Sequence, residues 1–124
     1  MQDKLELSLL LDYYGAFLTE ARREILSLSV DEDLSLGEIA RQMNVSRQNV
    51  HDLIARSSEK LRACEAALGA AGRMERMLER LARVQELLGA IAGQDIPTEA
   101  RALTDAAARQ IQRIQQEEED AHGL

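Results

Sequence analysis

Two helix caps, eleven residues apart, constrain this chain more than anything else in it. Ser35 and Glu38 stand in an S-x-x-E capping box, with Leu34 and Ile39 placed as the hydrophobic staple that fixes the entry of the chain. Ser46 opens a second helix, with Val45 and Val50 as its staple. Between them, Met43-Asn44-Val45 must turn a tight corner, and Asn is the residue after Gly that best tolerates a left-handed conformation. Ala40 falls where the two helices should cross most closely. Ile39, Met43, Val45, Val50 and Leu53 or Ile54 then supply a small shared core. Residues 35–61 therefore read as a helix-turn-helix, whose second helix is the usual element for entering a nucleic-acid groove.

The flanking sequence is helical as well. Leu5, Leu9, Leu10, Tyr13, Tyr14 and Phe17 form one apolar stripe, and Gly15 stands where that helix would stop or meet a close neighbour. Thr19 is placed to cap a second helix with Ile25, Leu26 and Leu28 inward and Arg22 and Arg23 outward; Asp31-Glu32-Asp33 then forms an acidic connection. From Ser46 to about Ala92 the helical pattern is nearly continuous, with Leu61, Cys64, Leu68, Ala71, Met74, Leu78, Leu81, Leu88 and Ile91 recurring mostly every three or four residues. Gly69 and Gly72 would kink this helix or let another approach closely. Gly93 to Pro97 is a turn, and a last helix from Thr98 carries Leu103, Ala107, Ile111 and Ile114 on the period needed to fold back antiparallel. The expected fold is all-α: N-terminal helices plus helix-turn-helix over 1–62, a helical hairpin and dimerisation extension over 63–116, and a frayed acidic tail over 117–124. Narrow stripes on both hairpin arms seldom close a core alone. They predict a homodimer, held by the C-terminal helices or by exchanged N-terminal helices, rather than a monomer with the hairpin packed on residues 1–30.

Charge divides unevenly. The net charge is −7; residues 1–34 hold three basic and eight acidic side chains, 35–68 five and four, and 69–124 seven and ten. The helix-turn-helix is thus the least acidic third, yet no general nucleic-acid coat, since phosphate neutralisation drives non-specific affinity. One cysteine, Cys64, excludes an intrachain disulfide and reads as a small buried hydrophobe. No run reaches about 18 apolar residues, and MQDKLELS lacks a signal-peptide pattern, so a cytoplasmic, non-membrane protein is expected.

Catalytic chemistry finds little to stand on. The two histidines, His51 and His122, have no cysteine or second histidine at metal-ligand spacing. No glycine-rich phosphate loop follows a strand, and no triad or carboxylate pair is evident, so neither enzyme activity nor a cofactor is expected. The second helix of the motif exposes a polar set instead: Arg47, Gln48, Asn49, His51 and Asp52, then Arg56. Gln and Asn suit adenine and Arg suits guanine or phosphate. Ser46 and the adjacent helix amides could hold a phosphate, and Arg41 on the first helix could reach the backbone. An exposed helix face would also be polar without any ligand, and Asp52 would repel one. The candidate nucleic-acid residues are Arg41, Ser46, Arg47, Gln48, Asn49, His51 and Arg56.

The stretch LSLGEIARQMNVSRQNVHDLIARSSEKLR resembles the promoter-reading helix-turn-helix domain of bacterial sigma factors, through its S-L-x-E-I opening, V-S-R cap and E-K-L-R continuation. With the upstream D-Y-Y-G-x-x-L-T-E and D-L-S-L-G-E-I-A runs, residues 5–68 resemble more specifically the YlxM family of small bacterial helix-turn-helix proteins. That resemblance implies an all-α fold and, because genes of the family typically stand beside that of the signal recognition particle GTPase, a part in protein targeting. Sigma-like domains carry several basic residues where Asn49, His51 and Asp52 stand here, which leaves weak DNA binding, RNA binding or protein docking open. The expected function is a non-catalytic nucleic-acid-binding regulator tied to the targeting pathway, with particle components as further partners. The alternative is an adaptor docking the targeting GTPase through the acidic surface around Asp31, Glu32 and Asp33. A DNA-binding subunit of a phage-type packaging or recombination system would share the motif but not the N-terminal runs.

Overall fold

A computed structural model describes residues 2–121, with side chains from Lys4 onward. It is all-α: α1 (Gln2–Tyr14), a 3-10 turn (Gly15–Phe17), α2 (Glu20–Val30), α3 (Leu36–Met43), α4 (Arg47–Leu68), α5 (Ala70–Ala92) and α6 (Thr98–Ala121). The chain forms two compact units, Met1–Gly72 and Arg73–Leu124.

In the first unit the expected caps are in place. The Thr19 hydroxyl accepts the Arg22 N–H at 3.3 Å. Ser35 and Glu38 bond reciprocally, at 3.1 Å to the Ser35 hydroxyl and 2.9 Å to the Glu38 carboxylate. Asn44 is left-handed (φ 58°, ψ 48°), and Val45 N–H reaches back to the Ala40 carbonyl at 3.0 Å, closing α3 in the Schellman manner. The Ser46 hydroxyl accepts the Asn49 N–H at 3.0 Å and starts α4. Ile25, Leu28, Ile39, Ala40 and Val50 make one core, with Leu34, Met43, Val45, Leu53 and Ile54 packed on it. Both staples are therefore seated in the same cluster.

Two expectations are corrected here. Helix α1 buries Leu7, Leu10, Leu11 and Tyr14, while Leu5, Leu9 and Phe17 lie outward, Leu5 at 79% exposure. Leucines at five of the seven positions from 5 to 11 allow two stripes at helical spacing, and docking against Leu18, Leu26, Leu61 and Ala71 selects one. Nor is the helix after Ser46 continuous to Ala92. It stops at Leu68, where Gly69 turns left-handed (φ 64°, ψ 22°), and restarts at Ala70; Gly72 stays helical. The sequence at the restart has no Ser, Thr, Asp or Asn to cap it. The caps come from elsewhere: Ala70 N–H donates to the Tyr14 hydroxyl at 2.9 Å, and Ala71 and Gly72 N–H donate to the Glu65 carboxylate at 3.1 and 3.0 Å. The Tyr14 hydroxyl in turn donates to Glu65. A carboxylate at a helix N-terminus also meets the positive end of its dipole. Cys64 is half-buried against this cluster, as a small hydrophobe would be.

The second unit is an antiparallel hairpin of α5 and α6. Its seam follows one heptad row on α5, the half-buried Met74, Leu78, Leu81, Gln85, Leu88 and Ala92, facing a row centred on buried Ile111 of α6. Gln115 donates to Gln85 across the seam at 3.2 Å. At the turn Arg101 caps the end of α5, donating to the carbonyls of Ala92 at 2.7 Å and Gln94 at 3.1 Å. Helix α6 continues through Glu117–Asp120 to Ala121, so most of the expected frayed tail is helical; His122 lies outside the described residues. Of the expected seam residues, Leu103, Ile114 and Ile91 are outward.

Candidate nucleic-acid interface

The capping box positions a glycine, and the glycine positions a notch. Gly37 is the second residue of α3, and a β-carbon built on it would lie 3.8 Å from both Arg41 Nη1 and Arg47 Nε. One arginine comes from α3, one turn onward; the other is the first residue of α4, brought back by the left-handed corner at Asn44. Gly37, Ala40, Arg41, Asn44, Val45, Ser46 and Arg47 line the resulting notch, about 470 Å³ in volume. Neither guanidinium forms an ion pair with a described residue, although Arg41 is close enough to help depress the Glu38 carboxyl. Hydrogen bonds from Ser35, main chain foremost, are the larger cause of that depression. The first N–H groups of α4 lie beside the same notch and carry the positive end of that helix dipole. Two forked cations beside a helix N-terminus suit one or two phosphate groups.

The expected residues thus separate. Arg41, Ser46 and Arg47 come together, with the Ser46 hydroxyl already engaged as the cap of α4. Gln48 and His51 are turned onto their own helix: Gln48 Nε2 donates to Asp52 Oδ1 at 3.0 Å, and His51 Nδ1 lies 3.5 Å from the same oxygen. Asn49 and Arg56 are exposed and seven residues apart, two helical turns, so they share the opposite flank of α4. With Val50, Ser57 and Leu61 buried, the most outward line of α4 is Gln48, Asp52, Ala55 and Glu59, which carries two carboxylates. Sequence reading overlooked Gly37 entirely. Its position inside a capping box, where a helix former would be favoured, was the available signal.

The acidic surface of the alternative reading is partly engaged internally. Asp31 accepts hydroxyl hydrogen bonds from Ser8 and Ser27, and Asp33, left-handed at φ 55°, pairs with Lys4, which draws its carboxyl below the usual range. An open groove nearby is lined by Asp12, Glu20, Glu24, Asp31 and Glu32, with Arg23 among them. Among the described residues no cluster of three or more His, Cys, Asp or Glu could hold a metal ion, and no helix is long and apolar enough to cross a membrane.

The fold and its notch define a helix-turn-helix protein with a helical C-terminal extension. Residues 1–96 match the family described as "Putative helix-turn-helix protein, YlxM / p13 like", and the chain belongs to that family, UPF0122. It is 39% identical over 97 residues to a UPF0122 protein of Desulforamulus reducens, covering 78% of this chain and 83% of that one. A UPF0122 protein of Acetivibrio thermocellus is 42% identical over 96 residues, or 77% and 80% of the two chains. One from Thermoanaerobacter sp. (strain X514) is 32% identical over 112 residues, or 90% and 96%. No solved structure matches the chain.

Proposed function

We propose that the protein is a non-catalytic, cytoplasmic regulator that grips the sugar-phosphate backbone of a nucleic acid at the α3–α4 notch and works as a homodimer within the signal recognition particle pathway. The observation that carries this reading is the convergence of Arg41 and Arg47 over Gly37 beside the N-terminus of α4. Arg41, Ser46 and Arg47 hold phosphate there; Asn49 and Arg56 add contacts on the other flank. Gln48 reaches a base only after releasing Asp52, which favours backbone recognition over sequence reading. The test is a titration of the full chain against random duplex DNA and against the RNA of the targeting particle, over a salt series. Two or three phosphate contacts per notch contribute between about −2 and −3 to the slope of log affinity on log salt, and Arg41→Ala and Arg47→Ala each reduce that contribution by about one. Gly37→Ala keeps both arginines and sets its β-carbon at ordinary contact distance from each, so it leaves α3 folded and serves as the conservative control for the arginine variants. Affinity and slope unchanged in the Arg41→Ala/Arg47→Ala double variant would refute the assignment.

The carboxylate-lined groove favours a second reading, an adaptor that docks a basic surface of the targeting GTPase. Because Asp31 and Asp33 also hold the first unit together, Glu20, Glu24 and Glu32 are the residues to reverse in charge. Loss of GTPase capture with nucleic-acid binding intact would favour the adaptor.

A further inference from the structure

The hairpin buries one row of α5 and leaves a second row bare. Met77, Val84, Leu87 and Ile91 are 43–50% exposed, and three of them stand seven residues apart, the repeat of a coiled-coil seam. On α6, Leu103 and Ile114 are 72% and 42% exposed. Each row lies about a quarter turn before its own seam residues in helical order. Since the two helices run in opposite directions, equal offsets of the same sign fall on the same side, so both rows share one face of the hairpin. At these exposures the face offers roughly 500 Å² of apolar surface, in the upper part of the range for the largest apolar patch of a monomer and close to what each partner of a small stable dimer contributes once flanking polar groups are added.

We infer that this face seats the same face of a second copy of the chain, making a four-helix bundle in which α5 of each hairpin lies antiparallel on α6 of the other. This rests on the homodimer reading above and names its surface. The side-chain order identifies the occupant. A two-fold axis along the hairpin keeps heights unchanged; with Gln85 beside Gln115, that sets Val84 close to the level of Ile114 of the other copy, with Ile91 and Leu103 both toward the turn end of the same face. The same operation sets Arg80, on the edge of the α5 row, against Glu117, on the edge of the α6 row. Arg76 then stands at the level of the acidic run 117–120. The hairpin thus complements itself in both apolar content and charge, as an isologous interface requires.

Sedimentation equilibrium of the full chain, from about 1 to 200 μM, tests it in the range where interfaces of this size dissociate. The wild type is expected to dimerise. Leu103→Glu and Val84→Glu, at positions open to solvent in one copy, should weaken the dimer at least about tenfold with unchanged helical circular dichroism. Arg80→Glu should weaken it as well, and Arg80→Glu/Glu117→Arg should restore it. A wild type that stays monomeric throughout overturns the homodimer reading and this surface together. A dimer that survives Leu103→Glu and Val84→Glu but is broken by Leu5→Glu overturns the surface alone and moves the contact to α1.

Discussion

Glu65→Ala tests the break between α4 and α5 most directly. In the wild type the carboxylate accepts the Ala71 and Gly72 N–H groups at 3.1 and 3.0 Å and the Tyr14 hydroxyl as well. Losing a side-chain cap costs about 0.5–2 kcal/mol, and losing a negative charge at a helix N-terminus about 0.3–1 kcal/mol more. The half-buried Tyr14–Glu65 bond adds to this, because removing the acceptor leaves a donor unsatisfied. Alanine returns a few tenths of a kcal/mol, roughly, through its higher helix propensity in α4. The net expectation is a loss of about 2–3 kcal/mol, which shifts the urea midpoint of a unit this small by roughly 2 M. Urea unfolding followed by far-ultraviolet circular dichroism measures it. Glu65→Gln keeps one acceptor oxygen, replaces the other with an NH2 donor and loses the charge, so it should lie between wild type and Glu65→Ala. A Glu65→Ala midpoint indistinguishable from wild type would refute the account of α5 as a helix started by a side chain from the helix before it.

Two further outcomes follow from buried or shifted groups. Ser57 is buried on α4 with no hydrogen-bond partner for its hydroxyl among the described residues, so Ser57→Ala should leave stability unchanged or raise it by about 1 kcal/mol; a clear loss in thermal unfolding would mean that the hydroxyl is satisfied. The Glu38 and Asp33 carboxyls are held below their ordinary values of 4.5 and 3.8, by Ser35 hydrogen bonds and by Lys4 respectively. The stability they contribute is therefore whole above those values and is lost as pH falls through the lowered ones. Melting temperature should decline below about pH 4.5, less steeply in Glu38→Gln, which keeps the capping geometry but does not titrate; equal acid slopes would remove Glu38 from the cause.

The helix-turn-helix was legible because its determinants are local. Ser35 with Glu38, Asn44 at the corner and Ser46 at the start of α4 each act on backbone groups within five residues, so sequence spacing alone places them. Thr19 belongs with them. Three other features depend on groups that chain order does not bring together. The break at Gly69 needs Tyr14, 56 residues from the amide it caps. The choice of Leu7 and Leu11 over Leu5 and Leu9 depends on where α2 and α4 dock, since both stripes satisfy helical periodicity. The notch exists because the corner at Asn44 aims the first residue of α4 back at the second residue of α3, across a glycine with no side chain. Capping and periodicity, which are short-range, determined the helices and the motif; which face each helix buries, where α4 ends and which arginines meet were decided only when the helices packed.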